Sequence, residues 1–161
     1  MNYDTISAMI KRHEGLRLKP YLCSEGKKTI GYGWNIDVNR LPRDIEAYLN
    51  IYGEITKDMA EHLLYIKITA SEADCRDIFS GFYQFTEQRQ YALIDMVYNM
   101  GVEGICKFKK MRKAITVGDW NEAANQVRDS VYWKQLGGDP IDTDDGKFER
   151  PEEIAQMLRE G

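Results

Sequence analysis

Within one glycine-punctuated stretch, EGLRLKPYLCSEGKKTIGYGW from Glu14 to Trp34, three side chains capable of chemistry stand at fixed intervals. A carboxylic acid, Glu14, is followed after eight residues by a thiol, Cys23, and after five more by a hydroxyl, Thr29. Gly15 and Gly26 supply turn positions, and Lys28 to Gly33 alternates in the manner of a short, half-exposed strand. A helix that ends at the acid and feeds a small antiparallel sheet over 16–36, with turns near Ser24-Glu25-Gly26 and Gly33, is the local structure this pattern predicts.

The flanking chain reads mostly as helix. Ile6, Met9, Ile10 and His13 lie at helical spacing over residues 4–13, with Asp4 or Thr5 as N-cap. Ile45, Tyr48, Leu49 and Tyr52 mark a second helix closed by Gly53. Thr56 caps a long amphipathic helix running to about Phe79, with Met59, Leu63, Ile66, Ala70 and Ala73 as its apolar stripe. Thr86 starts a further helix whose stripe is Leu93, Met96, Val97 and Met100. Helices at about 107–117 and 119–131 follow, interrupted by Gly118 with Asp119 as cap. Pro151 opens a short terminal helix carrying Ile154, Met157 and Leu158.

At 161 residues, 43% hydrophobic and 30% charged, the chain suits one folded domain, with no repeat or low-complexity segment. Its first residues lack the basic and apolar segments of a secretion signal, and no run approaches the ~18 apolar residues of a membrane span. Cys23, Cys75 and Cys106 form neither a disulfide framework nor a zinc pattern, and His13 and His62 are too scattered for a metal cluster, so no metal or cofactor is expected.

The net charge of -4 is unevenly spread. Residues from Gly137 onward contribute eight acids against three bases, leaving the preceding residues slightly positive. The Gly137 to Gly146 loop is acidic, but Ile141 and Thr143 occupy positions where a calcium-binding EF-hand loop needs acids. The run Lys107, Lys109, Lys110, Arg112 and Lys113 reads as a solvated helix face; with a pI of about 5.3 and no accompanying motif, no nucleic-acid partner is expected.

Glu14-Gly15-Leu16-Arg17-Leu18, Tyr21, Gly26 and Thr29-Ile30-Gly31-Tyr32-Gly33 resemble the active-site signature of the phage-type lysozymes, or endolysins, muramidases that cut bacterial peptidoglycan. Further segments recur in the family's order: Ile55 to Asp58 with Ala60, Glu61 and Leu63, then Ala92 to Gly101, then Gly118 to Ala124. The resemblance covers roughly the first 135 residues. It implies an α+β, mainly helical, lysozyme-like domain over 1–161. A small N-terminal lobe with a short antiparallel sheet (14–55), a connecting helix (56–79) and a helical C-terminal lobe (80–161, with 1–13 packing on it) would flank a substrate cleft.

The resemblance also implies roles. Glu14 would be the general acid, and partial shielding from water would keep its neutral form available. Cys23 stands where the best-known members carry Asp, although Cys at this spacing also occurs in the family. As a thiolate, favoured by Arg17, Lys19, Lys27 and Lys28, it would activate water or attack the sugar. Thr29 would hold the attacking water, and Gly33, Trp34, Tyr98 and Asn99 would grip the glycan. Arg150 matches an arginine that pairs with the catalytic glutamate, while Glu153 stands at the family's second arginine position. The implied enzyme hydrolyses the linkage between N-acetylmuramic acid and N-acetylglucosamine without a cofactor. It would be a monomer made in the host cytoplasm, acting on wall glycan strands after release by a holin. A catalytically impaired peptidoglycan-binding module and a lytic transglycosylase are the alternatives.

Overall fold

The computed structural model describes residues 1–23, 26–135 and 150–161. The turn positions Ser24 and Glu25 and the loop from Gly137 to Gly146 lie outside the described residues. The described chain is mainly helical with one three-stranded antiparallel sheet, the α+β architecture expected from the sequence. It divides into two compact units, one of residues 3–70 and one of residues 1–2 with 71–161.

The first unit opens with α1, Tyr3–Glu14. Ile6, Met9 and Ile10 are buried as the spacing predicts, Ser7 is buried beside them and His13 is half-buried, but the helix begins earlier than expected and holds Asp4 and Thr5 inside its first turn instead of as caps. Tyr3 packs edge-on against Tyr65, with ring centroids 5.3 Å apart, and this tertiary contact favours the extra residue of helix. Three strands follow, β1 at Arg17–Leu22, β2 at Lys28–Gly31 and β3 at Trp34–Asn35, in the order β1-β2-β3. Tyr21 pairs with Thr29, and an irregularity lies between Arg17 and Tyr21.

Helix α2, Arg43–Tyr52, ends on Gly53 at φ 73°, whose N–H returns to the Leu49 carbonyl, the left-handed closure that glycine allows. The helix α3, Lys57–Ile78, starts as predicted, with the Thr56 hydroxyl accepting from the Met59 N–H at 3.2 Å. Its buried face is not the predicted one. Ala60, Leu63, Leu64, Ile68, Ser71 and Cys75 are buried, whereas Met59 and Ile66 are half-buried and Ala70 is exposed. On this face Gly31 of the sheet lies opposite Ala60, where a Cβ would make an ordinary van der Waals contact, 3.5 Å from the Ala60 Cβ. Ile6, Ile10, Ile30, Ile45, Ile55, Leu63, Leu64 and Ile68, each at most 1% exposed, form the core of this unit.

In the second unit, α4 (Glu87–Cys106) is capped by Thr86, whose side chain accepts from the Arg89 N–H. Every position from Gln90 to Tyr98 is buried, so this middle part of α4 is wrapped on all sides and not merely along the predicted stripe. Gly101, at φ 68° and ψ 176°, interrupts its helical geometry. Helix α5 is Lys109–Thr116 and α6 is Trp120–Arg128, with the Asp119 side chain accepting from Glu122 N–H as predicted. On α5 the lysines are exposed while Met111, Ala114 and Ile115 are buried, the solvated basic face expected. A separate short helix, α7 at Val131–Gln135, and then α8, Arg150–Glu160, complete the described chain. Helix α8 packs on α4 and α6, burying Ile154, Ala155 and Leu158. No helix among the described residues is long and apolar enough to cross a membrane.

Candidate active site

Glu14 is the last residue of α1 and is half-buried. The chain leaves the helix through Gly15, at φ 67°, whose N–H returns to the Lys11 carbonyl at 3.1 Å. This closure lets the helix stop directly after the acid, so Glu14 sits where α1 meets the sheet.

The turn between β2 and β3 passes against the Glu14 carboxyl. Gly33 adopts φ 78°, and a Cβ built on it would lie 2.6 Å from Glu14 Oε2 and 3.1 Å from Cδ. The left-handed backbone favours glycine at this position, and any side chain here would have to displace the Glu14 carboxyl from its place. Gly33, one of the residues expected to grip a glycan, thus lies beside the Glu14 carboxyl. Trp34 is 7% exposed, and its indole N–H donates to the Asn39 carbonyl at 3.2 Å, fixing the segment after β3.

Cys23 and Thr29 are held by the β1–β2 hairpin. Cys23, half-buried just beyond β1, donates its N–H to the Lys27 carbonyl at 3.0 Å, and its own carbonyl accepts from Gly26 N–H at 2.8 Å. Thr29 is 5% exposed, and its hydroxyl donates to the same Lys27 carbonyl at 3.1 Å. Once that proton is committed, the hydroxyl oxygen offers lone pairs to an incoming O–H.

Tyr21 links these groups. Its phenol is raised above the ordinary tyrosine range first by burial, then by the negative charge of Glu14, then by that of Cys23, while Arg17 opposes the rise. The Arg17 guanidinium stands 5.6 Å from the Tyr21 ring centroid. Glu14 and Cys23 therefore both lie within electrostatic reach of one phenol, and the β-ladder sets that phenol opposite Thr29. Tyr21 was quoted in the signature but not selected as a site residue. The cross-strand register with Thr29 is the signal that could have found it.

Lys67, on α3, is a second residue that sequence reasoning passed over. Its ammonium donates to the Gly33 carbonyl at 2.7 Å. Nearby, Lys11 pairs with Glu61 at 3.0 Å and stands 5.7 Å from the Tyr32 ring centroid.

The other expected site residues belong to the second unit. Tyr98 is 2% exposed and Asn99 is exposed, both on α4. Arg150, at the start of α8, donates from Nε to Asp95 Oδ1 at 2.7 Å and from Nη2 to the Asp95 carbonyl at 3.4 Å. Asp95 is fully buried, so this is an interior ion pair between α8 and α4. Cys75 is buried with its thiol pushed up, chiefly by desolvation and then by Asp74 and Glu72, which leaves it unreactive. Among the described residues no cluster of three or more His, Cys, Asp or Glu side chains could hold a metal ion.

The family description phage lysozyme matches residues 11–147 of this chain. The chain is similar to the pre-baseplate central spike protein Gp5 of Enterobacteria phage T4, 33% identical over 149 residues, which covers 83% of this chain and 26% of that protein. It thus spans about a quarter of the spike protein's length. It is also similar to a probable T4-type lysozyme 2 of Dictyostelium discoideum, 28% identical over 80% of this chain and 85% of that one. An endolysin of Acyrthosiphon pisum secondary endosymbiont phage 1 is 31% identical over 72% of this chain and 70% of its own.

Proposed function

The chain belongs to the phage lysozyme family, and we propose that it hydrolyses the β-1,4 linkage between N-acetylmuramic acid and N-acetylglucosamine in bacterial peptidoglycan. Membership assigns the reaction class, glycoside hydrolysis by a lysozyme. The bond and the roles of individual residues are our reading. The observation that carries it is geometric: the half-buried Glu14 carboxyl stands at the end of α1 with the Gly33 turn packed against it, and the adjoining hairpin holds Cys23 and Thr29 on one carbonyl.

In this reading Glu14 delivers its proton to the glycosidic oxygen as the bond to the sugar carbon breaks, and the sugar ring takes up positive charge. Water held by Thr29 adds to that carbon and passes a proton to the Cys23 thiolate. If the thiolate instead bonds to the carbon directly, water displaces it in a second step, with Glu14 now accepting the proton. Gly33 and Trp34 in the first unit, and separately Tyr98 and Asn99 in the second, are proposed to contact glycan. Trp34 and Tyr98 would act mainly by shaping the backbone around them, since both rings are largely buried, while Asn99 offers an exposed amide. Arg150 is a structural support. Glycan strands are the proposed partner of a monomer made in the host cytoplasm and delivered to the wall through a holin.

The test is turbidity loss and product analysis on purified peptidoglycan with wild type, Glu14→Gln, Cys23→Ser and Cys23→Asp. Reducing muramic ends from wild type, loss of activity in Glu14→Gln and Cys23→Ser, and retained activity in Cys23→Asp are the expected results. Anhydro ends would assign a lytic transglycosylase instead, and binding without release would assign a wall-binding module. Iodoacetamide treatment that modified Cys23 yet left lysis untouched would remove the thiol from the reaction.

A further inference from the structure

We propose that Lys67 is a positioning residue for the Glu14 carboxyl, acting through the Gly33 carbonyl and resting on the muramidase reading above. Lys67 occupies an unusual place for a lysine. Ala60, Leu63, Leu64 and Ile68 mark the buried face of α3, and Lys67 follows Ala60 by seven positions and Leu63 by four, which sets it on that same face. Lys67 is half-buried, so its ammonium loses part of its hydration and favours a strong acceptor in exchange. The Gly33 carbonyl, 2.7 Å away, is such an acceptor.

The effect on the site follows from where Gly33 lies. Helix α3 meets the β2–β3 turn at two places about 10 Å apart along its axis, seven residues at 1.5 Å each. At the first, Gly31 at the end of β2 faces the small Ala60 side chain, where a Cβ would lie in ordinary van der Waals contact at 3.5 Å. At the second, Lys67 hydrogen-bonds Gly33. Between these supports the turn holds Gly33 at φ 78°, with its Cα side pressed against the Glu14 carboxyl. Because the carbonyl that Lys67 grips belongs to the residue whose Cα abuts Glu14, rotation of that peptide would move the surface the carboxyl rests on. A charge-assisted bond to a carbonyl is shorter and stronger than a neutral one, so it resists that rotation. Lys67 thus acts on the acid through one intervening backbone unit and is not itself assigned contact with substrate.

The experiment compares Lys67→Met, Lys67→Arg and Thr56→Ala in the full chain. Thr56→Ala is the control for stability, because it removes the N-cap of the same helix and leaves the Lys67–Gly33 bond in place. Lys67→Met is expected to lower kcat on peptidoglycan about tenfold or more, the scale of a small misplacement of a catalytic group, with KM within about twofold. Lys67→Arg should recover most of the loss, and Thr56→Ala should lower Tm while leaving kcat in place. In carbon-13 and nitrogen-15 labelled protein, the Gly33 carbonyl and Trp34 amide resonances should shift in Lys67→Met and stay in place in Thr56→Ala. A Lys67→Met protein with wild-type kcat, or with unmoved Gly33 and Trp34 resonances, would overturn the inference. If wild type itself releases no product, the muramidase reading fails, and the resonances alone decide whether Lys67 holds the turn.

Discussion

The backbone N–H of Cys23 and the side-chain hydroxyl of Thr29 converge on one acceptor, the carbonyl oxygen of Lys27, at 3.0 and 3.1 Å. One hairpin carbonyl therefore fixes both the chain that carries the thiol and the direction in which the hydroxyl proton points. With that proton committed, Thr29 can receive a hydrogen bond from water but has none to give. A water held in this way keeps a lone pair available for attack.

Thr29→Val retains the branched shape and removes the hydroxyl. Lys27 keeps the Cys23 N–H as donor, so the stability loss should stay near ~1 kcal/mol, whereas lysis should fall about tenfold or more because the water loses its acceptor. Thr29→Ser should preserve activity. Thermal melts and turbidity assays run together separate these effects, and an active Thr29→Val would dismiss the hydroxyl from the reaction.

Gly33 and Gly53 have nearly the same backbone, φ 78° and 73°, but different surroundings. A Cβ on Gly53 meets nothing within 4 Å, while one on Gly33 meets the Glu14 carboxyl. Alanine at either position should cost about 1–2 kcal/mol for the left-handed conformation. Only Gly33→Ala should also lower kcat, on the order of 100-fold, because it displaces the acid. Equal activity in the two variants would mean that the carboxyl tolerates displacement.

The two glycines also illustrate what could be read before the structure. Gly53, and the caps Thr56, Thr86 and Asp119, are legible because a cap is local: the residue that closes the helix lies within four positions of the group it satisfies. The order of helix and sheet around Glu14 is legible for the same reason. The buried face of α3 is not, because its contacts come from elsewhere in the chain. Ala60 is buried opposite Gly31 of the sheet, a long-range partner that the helix's own sequence does not show, and Ser71 and Cys75 carry no strong apolar signal. Lys67 escaped notice because a lysine on a helix reads as solvated unless its long-range acceptor is known. Arg150 is singled out only by the family resemblance, and its bond to Asp95 spans 55 residues and leaves no local trace.

The Lys11–Glu61 pair makes stability depend on pH at both ends of the range. The hydrogen bond from Lys11, followed by its charge, lowers the Glu61 carboxyl, and the bond to Glu61 is the main cause that raises Lys11. The depressed carboxyl stabilises above its unfolded value of about 4.3, and that contribution is lost as pH falls through the folded value. The raised ammonium stabilises below about 10.4, and its contribution is lost as pH rises through the folded value. The gap in Tm between wild type and Glu61→Gln should therefore be level from about pH 5 to about pH 10 and narrow toward about pH 3. A gap of unchanged size at about pH 3 would show that shape, and not charge, sets the difference.

Arg150 and Asp95 allow structural support to be separated from a role in the site. Asp95 is fully buried and Arg150 is 10% exposed, so Arg150→Ala strips a buried carboxylate of its guanidinium, a change that costs about 3–5 kcal/mol. Stability and lysis should fall together in that variant. Replacing both partners, as in Arg150→Met with Asp95→Asn, removes the buried charge as well as its partner and should restore much of the lost Tm. If lysis returns with Tm, Arg150 serves the reaction only by holding α8 to α4. If Tm recovers while lysis stays low, the guanidinium has a task at the active site that the interior pair does not account for.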